Sequence, residues 1–278
     1  MIVGVTGGAG FIGSAVVAQL ERAGHTPIIF DRPRDVRNMD EVEQFVRLCN
    51  GVIHLAGMLG THELFDKRRE AVEVNVLGSL NVMDACVAHG VRFVNISMPP
   101  VFPSIYTATK MSVEAFLKAY AHNDGLRYAS VRAFNAFGPG QHHGPGHPQK
   151  IIPTFAFNGW RGLPIPVWGD GDQGVDLVHV SDVADVMVQA VELADGGTYD
   201  AGTGRMFTVL EVARLVQLQT GNRSRIDHLP MRRGEIPTKI VAKGEGWEKL
   251  DRRPQFRMAD LRTTVDAYAA TLEWEVAA

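Results

Sequence analysis

Short apolar runs alternate with amphipathic stretches through the first half of the chain, the pattern of βαβ units that build a parallel sheet. Ile2–Val5, Pro27–Phe30, Val52–Leu55, Arg92–Ile96 and Tyr128–Arg132 read as strands. Phe11–Ala23, Met39–Cys49, a long stretch from Arg69 to His89 and another from Ser104 to Asn123 read as the helices between them. Beyond Asn135 the texture changes, and residues 136–175 are rich in Gly and Pro without clean periodicity. Order resumes with a strand at Leu177–Val180, a helix at Asp182–Leu193 and a short strand at Thr198–Asp200. A helix at Val209–Gln219 precedes a less regular tail. These segments predict an α/β chain with a nucleotide-binding domain of 1–135 and 176–203. A small C-terminal α/β substrate domain would come from 136–175 and 204–278, with a ligand cleft between the two.

Composition narrows the choice. A net charge of -3 gives no basic field for nucleic acid, and no apolar run approaches the ~20 residues that span a bilayer. Cys49 and Cys86 have neither metal-ligand nor redox spacing, so they are expected as free thiols in a reducing compartment, the cytoplasm.

The most informative local pattern is Thr6-Gly7-Gly8-Ala9-Gly10-Phe11-Ile12-Gly13, between the first strand and first helix. Gly7 permits a tight turn, Gly10 lets backbone approach a pyrophosphate, and Gly13 lets helix and strand pack closely. The helix N-terminus then offers free N–H groups to the anion. With the strand pattern this predicts a Rossmann-type doubly wound parallel sheet holding a dinucleotide. Asp31 ends the second strand 18 positions past Gly13, where a carboxylate meets the adenosine ribose and repels a 2′-phosphate. NAD is therefore expected, with Arg32 and Arg34 as the residues that would favour NADP instead. Only seven residues separate Asp31 from Met39, too few for a helix and a strand, so the third strand should be reduced or absent.

Tyr106 and Lys110 stand at i and i+4 of a helix, hence on one face. An ammonium near a phenol favours the phenolate, which can take a proton from an alcohol. Together with His54-Leu55-Ala56-Gly57, Asn75-Val76-Leu77-Gly78-Ser79, Arg132 to Pro139, Trp168 to Gln173, His179 to Ala184 and Arg232-Arg233-Gly234-Glu235, this ordered series resembles the extended short-chain dehydrogenase/reductase family of NAD-dependent epimerases and dehydratases, near UDP-glucose 4-epimerases. The resemblance implies Tyr106 as base and Lys110 as the holder of the nicotinamide ribose. It also implies that Phe11, Ile12, Leu55, Ala56, Gly57 and Asn75 line the cofactor, with Asp35-Val36 at adenine. Asn135, Lys150 and Arg232 would meet a nucleotide-sugar substrate. In this family, helices matching about 69–89 and 104–122 pair in a homodimer. The apolar stripe of Val113, Phe116, Leu117 and Tyr120 fits that role.

The sequence also departs from the family. Met98 falls where a catalytic Ser or Thr is usual, and a one-residue slip would put Ser97 there instead. Pro99 and Pro100 replace the acidic residues of dehydratases and decarboxylases. The segment from Phe102 to Tyr106 is short, and Val175 stands where many relatives carry a phosphate-binding arginine. His142, His143 and His147 lie in a glycine-rich loop without fixed partners, so no metal is expected. The resulting expectation is an NAD-dependent nucleotide-sugar epimerase acting at C4. The alternatives are an NAD(P)-dependent oxidoreductase or ketoreductase on a related sugar or small alcohol, and a catalytically weak NAD-binding sensor.

Overall fold

The computed structural model describes residues 1–144, 147–223 and 225–269; Pro145 and Gly146 of the histidine loop, and 270–278 of the expected small domain, lie outside them. The chain runs β1 (Ile2–Thr6), α1 (Phe11–Arg22), β2 (Thr26–Phe30), α2 (Met39–Val46) and β3 (Gly51–His54). It continues with α3 (Arg68–Val72), a π-helical turn (Glu73–Leu77), α4 (Gly78–His89), β4 (Arg92–Ser97), α5 (Ile105–Asp124), β5 (Tyr128–Ala133) and β6 (Asn135–Phe137). The second half holds α6 (Ile151–Trp160), β7 (Ile165–Trp168), β8 (Gly174–His179), α7 (Val180–Leu193), β9 (Thr198–Ala201), β10 (Met206–Thr208), α8 (Val209–Thr220), β11 (Ile226–Leu229) and α9 (Met258–Ala267).

Six strands form one parallel sheet in the order β2-β1-β3-β4-β5-β9. Val3, Val5, Val94 and Val131 pack on one face with Val16 and Leu20 of α1 and the buried side of α7. Phe30, Val52 and Phe93 pack on the other face with residues of α2, α4 and α5. The chain leaves β1 to one side for β2 and returns to the other for β3. The crevice at the carboxyl ends of these strands is where such folds bind ligands.

Among the described residues no third strand pairs outside β2, as the short span after Asp31 requires, so β2 is the sheet edge. Thr26 N donates to Met1 O, and Phe30 O accepts from Gly7 N. The even-numbered residues of β2 thus bond β1, and Pro27 and Ile29 turn their backbone groups outward. Proline belongs at such an edge because it has no N–H to leave unpaired. Arg34 covers the neighbouring group by donating to Ile29 O.

Three expectations are corrected. The stretch 136–175 holds regular elements, among them α6, whose sequence IIPTFAFNGW is apolar nearly all round and so shows no amphipathic period. Strand β8 begins at Gly174 and joins the small sheet β10-β8-β6, while α7 and β9 belong to the large unit, so 176–203 divides between the two. The helical run Arg68–His89 is long and apolar enough to cross a bilayer, contrary to the sequence reading. Its apolar residues have another use, because Ala71, Val82, Met83, Ala85 and Cys86 are buried within the fold. A third cluster, of Phe137, Phe155, Val167, Leu177, Phe207, Val212 and Leu261, forms the core of the smaller unit.

Candidate active site

The glycine turn has the shape its sequence implies. Gly7 sits at φ +71°, a conformation that side chains strain, and a Cβ on Gly13 would run into Gly7 O. Only bare glycine lets α1 start this close to β1, which is the fit a pyrophosphate cradle needs. Asp31 accepts from Ala9 N (2.9 Å) and Arg32 N (2.8 Å), so its carboxylate stands over this turn at the end of β2. Leu55, Ala56 and Gly57 follow β3 beside it, and Thr6 Oγ1 accepts from Leu55 N and Ala56 N (3.1 and 3.2 Å).

A buried polar chain ties this cradle to the helix behind it. Thr6 Oγ1 lies 2.8 Å from His54 Nδ1, His54 Nε2 lies 3.0 Å from Ser79 Oγ, and Ser79 donates to Asn75 O (2.6 Å). Because Ser79 gives its hydrogen to Asn75 O, it accepts from His54 Nε2–H, while Thr6, which accepts from two backbone N–H groups, donates to Nδ1. His54 thus carries its proton on Nε2 and is neutral. Burial first, and the charge of Lys110 second, hold its pKa down to about 3. The sequence shows His54 within a motif but gives it no role; only the fold brings Thr6 and Ser79 to its ring.

Asn75 is fully engaged rather than turned to the cofactor. Its amide accepts from Met58 N (2.6 Å) and donates to Met58 O (3.0 Å) and Thr109 Oγ1 (3.1 Å). It therefore fixes the loop after β3, from within a π-helical turn of the kind often found at functional sites. The segment expected at adenine also divides: Asp35 is clamped by Arg37 (2.6 Å), which holds its carboxyl below the usual range, and the Val36 side chain packs inward against Gly78.

Ser104 caps α5 by accepting from Thr107 N, which sets Tyr106 in the first turn and Lys110 one turn on. Lys110 is buried, donates to Ile96 O at 3.0 Å, and lies 5.9 Å from the centre of the Tyr106 ring. Burial lowers its pKa to about 8, against the pull of Glu114. Burial also pushes the Tyr106 phenol up to about 12. Burial thus opposes formation of the phenolate, and an ammonium beside the ring acts in the other direction.

Ser97 is not the missing hydroxyl of the site. Its side chain points under α5 and donates to Glu114. Met98 follows at the end of β4, half-buried, before Pro99 and Pro100. Asn135 is exposed at the start of β6. Arg232 is bound by Glu235 through two hydrogen bonds (3.0 and 2.5 Å) and lies over the Trp168 ring at 4.7 Å. Lys150 shares this neighbourhood: Gln149 beside it donates its N–H to Glu63 (3.3 Å), and the Lys150 pKa is lowered first by desolvation, raised by Glu63, lowered by Arg232 and raised by Glu235. Lys150 and Arg232 are thus brought together, with two carboxylates that sequence reading missed. Glu235 was legible three residues after Arg232; Glu63 was not. Val175 is buried against the small core and offers no charge. Among the described residues no group of three metal-ligating side chains occurs.

A glycine cradle at the switch point, with a tyrosine and a lysine one turn apart on α5, has the form of a dinucleotide-binding site. Comparison with known proteins agrees. The NAD dependent epimerase/dehydratase family profile matches residues 3–202. A UDP-glucose 4-epimerase of Corynebacterium glutamicum is 30% identical, with 96% of this chain and 94% of that protein covered. A dTDP-glucose 4,6-dehydratase of Streptomyces antibioticus is 26% identical over 97% of this chain and 93% of its own length. The crystal structure of the Thermus thermophilus UDP-glucose 4-epimerase in complex with NAD superposes with a TM-score of 0.85 at 28% identity, covering 96% of this chain and 99% of that one. The chain belongs to the NAD-dependent epimerase/dehydratase family, and its cofactor is NAD.

NAD should bind this protein roughly tenfold or more tightly than NADP, because the Asp31 carboxylate opposes a 2′-phosphate. Arg34 is already placed over the Phe30 ring, 4.9 Å from its centre, and on Ile29 O, away from that task. Thermal-shift titration with both nucleotides tests this. Equal or tighter NADP binding would shift the assignment to Arg32.

Proposed function

We propose that this protein is an NAD-dependent nucleotide-sugar epimerase that inverts C4 of the sugar. The observation that carries the reading is the Tyr106–Lys110 pair following a β4 turn of Met98, Pro99 and Pro100. Loss of water from the sugar, or of its carboxyl group, calls for further acid–base groups, and proline can supply none. Proton transfer at one hydroxyl needs only Tyr106. Bound NAD supplies a hydride acceptor that returns what it takes; Gly7, Gly10, Gly13, Asp31, Ala56 and Lys110 would hold it. Lys150 and Arg232 would meet the substrate phosphates, with Arg232 exchanging Glu235 for phosphate oxygen.

Incubation with UDP-glucose, UDP-galactose, their N-acetylated forms and dTDP-glucose, followed by NMR of the sugar, tests the reading. Interconversion at C4 without accumulation of NADH is expected. Release of water from these sugars, or of carbon dioxide from UDP-glucuronic acid assayed alongside them, would overturn it. Stoichiometric NADH would favour the second reading, an NAD(P)-dependent oxidoreductase on a related sugar or small alcohol. That reading draws support from Val175, which contributes no phosphate contact.

Met98 supports a third reading, a weak NAD-binding sensor, since a thioether is a poor donor for a substrate oxygen. On the epimerase reading, Met98→Ser should raise turnover by up to about 10²-fold, with NAD affinity unchanged. Kinetics of Met98→Ser and Met98→Leu decide: if both slow the enzyme, Met98 is a substrate contact and no donor is missing.

We also propose a homodimer through α4 and α5 and the turns before them, on a shifted face. Val113 and Leu117 are buried in the protomer's own core, so the stripe read from sequence does not face outward as a whole. Val72 at the end of α3, Leu77 in the π-helical turn, and Met111 and Phe116 on α5 are exposed apolar residues of this region. Light scattering that shows only monomer at micromolar concentration would remove the proposal.

A further inference from the structure

Lys110 carries its charge in a place that needs an anion. The side chain is 6% exposed, and its hydrogen-bond acceptor, Ile96 O, is neutral. A buried ammonium without a counter-charge is costly and tends to lose its proton. His54, on β3, is neutral and cannot balance it. Asn95 and Ser97 face α5 from β4 without charge. On β5, Arg132 is cationic, and it has carboxylates of its own in Asp200 (3.0 Å) and Glu245 (2.9 Å). Tyr128, also on β5, and Tyr106 on α5 are phenols that burial holds in the neutral form.

Of the carboxylates on the other elements packed against α5, Asp84 on α4 accepts from Tyr120 (2.7 Å) and Glu73 of the π-helical turn pairs with Arg37 (3.5 Å), whereas the anion that acts on Lys110 is Glu114. It lies four residues past Lys110 on α5, the spacing that puts the two on one helix face. Its carboxylate is not left to swing into solvent. Ser97, itself buried at the end of β4, donates its hydroxyl to one carboxylate oxygen.

We propose that Glu114 is a positioning residue for the Tyr106–Lys110 pair: fixed by Ser97, its carboxylate is the counter-charge that keeps the Lys110 ammonium charged beneath the catalytic tyrosine. The inference rests on the reading of Tyr106 and Lys110 as the working pair. It also gives Ser97 a task. The hydroxyl that sequence places beside the substrate acts two steps away, through Glu114 and then Lys110. The sign of the effect is fixed: removing a negative neighbour makes the ammonium easier to deprotonate.

The test follows Lys110 itself. In the NAD complex labelled with 15N-lysine, the Lys110 side-chain signal is assigned by its disappearance in Lys110→Arg and titrated by NMR. Glu114→Gln keeps the shape and an acceptor for Ser97 while removing the charge. It should lower the Lys110 midpoint by roughly one pH unit or more. Ser97→Ala, which frees the carboxylate without neutralising it, should lower the midpoint less. Glu114→Asp, which keeps the charge on a shorter stem, should also fall between wild type and Glu114→Gln. If Glu114→Gln does not fold, the other two variants still decide. A midpoint unmoved in every variant that folds overturns the proposal. No sugar enters this measurement, so failure of the C4 epimerase reading would leave its outcome intact, and its failure would leave that reading standing.

Discussion

Tyr106→Phe should lower turnover by about 10²–10⁴-fold while NAD affinity stays unchanged. The ring is retained, so the packing of the first turn of α5 and the Ser104 cap persist. The phenolic oxygen is what disappears, and with it the proton acceptor for the substrate hydroxyl. The size of the loss depends on how far the site brings the phenol down from the value of about 12 that burial imposes. Single-turnover kinetics, alongside a thermal shift with NAD, separate chemistry from binding. Activity within a few-fold of wild type would mean that the tyrosine–lysine spacing is fortuitous and that another group takes the proton.

Lys110→Met should do two things at once: abolish turnover, and make the protein more stable. The ammonium is buried and its pKa is depressed to about 8 from an ordinary 10.5. Between these values the unfolded chain binds more protons than the folded one, so wild-type stability rises with pH across that window. Below it the full penalty of the buried charge is present. Methionine fills similar volume without charge, leaving Ile96 O one hydrogen bond short. A net gain on the order of 1–3 kcal/mol at pH 7 follows, or roughly 2–8 °C in melting temperature. The rise in stability between about pH 8 and 10.5 should vanish in the variant. Scanning calorimetry at pH 7 and pH 9.5 checks both statements. A less stable Lys110→Met at pH 7 would show that Lys110 is held by compensating interactions stronger than its burial cost.

Much of the large sheet was legible, because its strands are short apolar runs set off by amphipathic helices and a glycine turn with one structural solution. The missing third strand followed from chain length alone, since seven residues cannot make a helix and a strand. The smaller unit was harder to see. Helix α6 is buried on most sides, so it lacks the polar face that reveals a helix, and β6, β10 and β11 are only three or four residues long. In the site, glycines and the Tyr106–Lys110 spacing were readable because their roles depend on local geometry. The surroundings of Ser97, Asn75 and Arg232 were not readable for the opposite reason. Each is a polar side chain whose partner — Glu114, Met58 or Glu235 — is decided by folding as much as by sequence. Val113 and Leu117 carry a similar lesson: an apolar helix face has the same pattern whether it meets its own sheet or another subunit.

The open edge at β2 has a consequence for behaviour in concentrated solution. A bare parallel edge offers a ladder of donors and acceptors to any other strand, which is how folded proteins anneal into aggregates. Here the outward-facing positions are Pro27 and Ile29. Proline presents no donor, and the Ile29 carbonyl is occupied by the Arg34 guanidinium, while 40% of the Ile29 residue surface meets solvent. What remains for an incoming strand is one carbonyl and one N–H, too little to template a neighbour. The chain has shed a strand from its sheet without acquiring a sticky rim. Colloidal stability at this edge therefore rests on two residues, a proline that cannot donate and an arginine that occupies the exposed carbonyl.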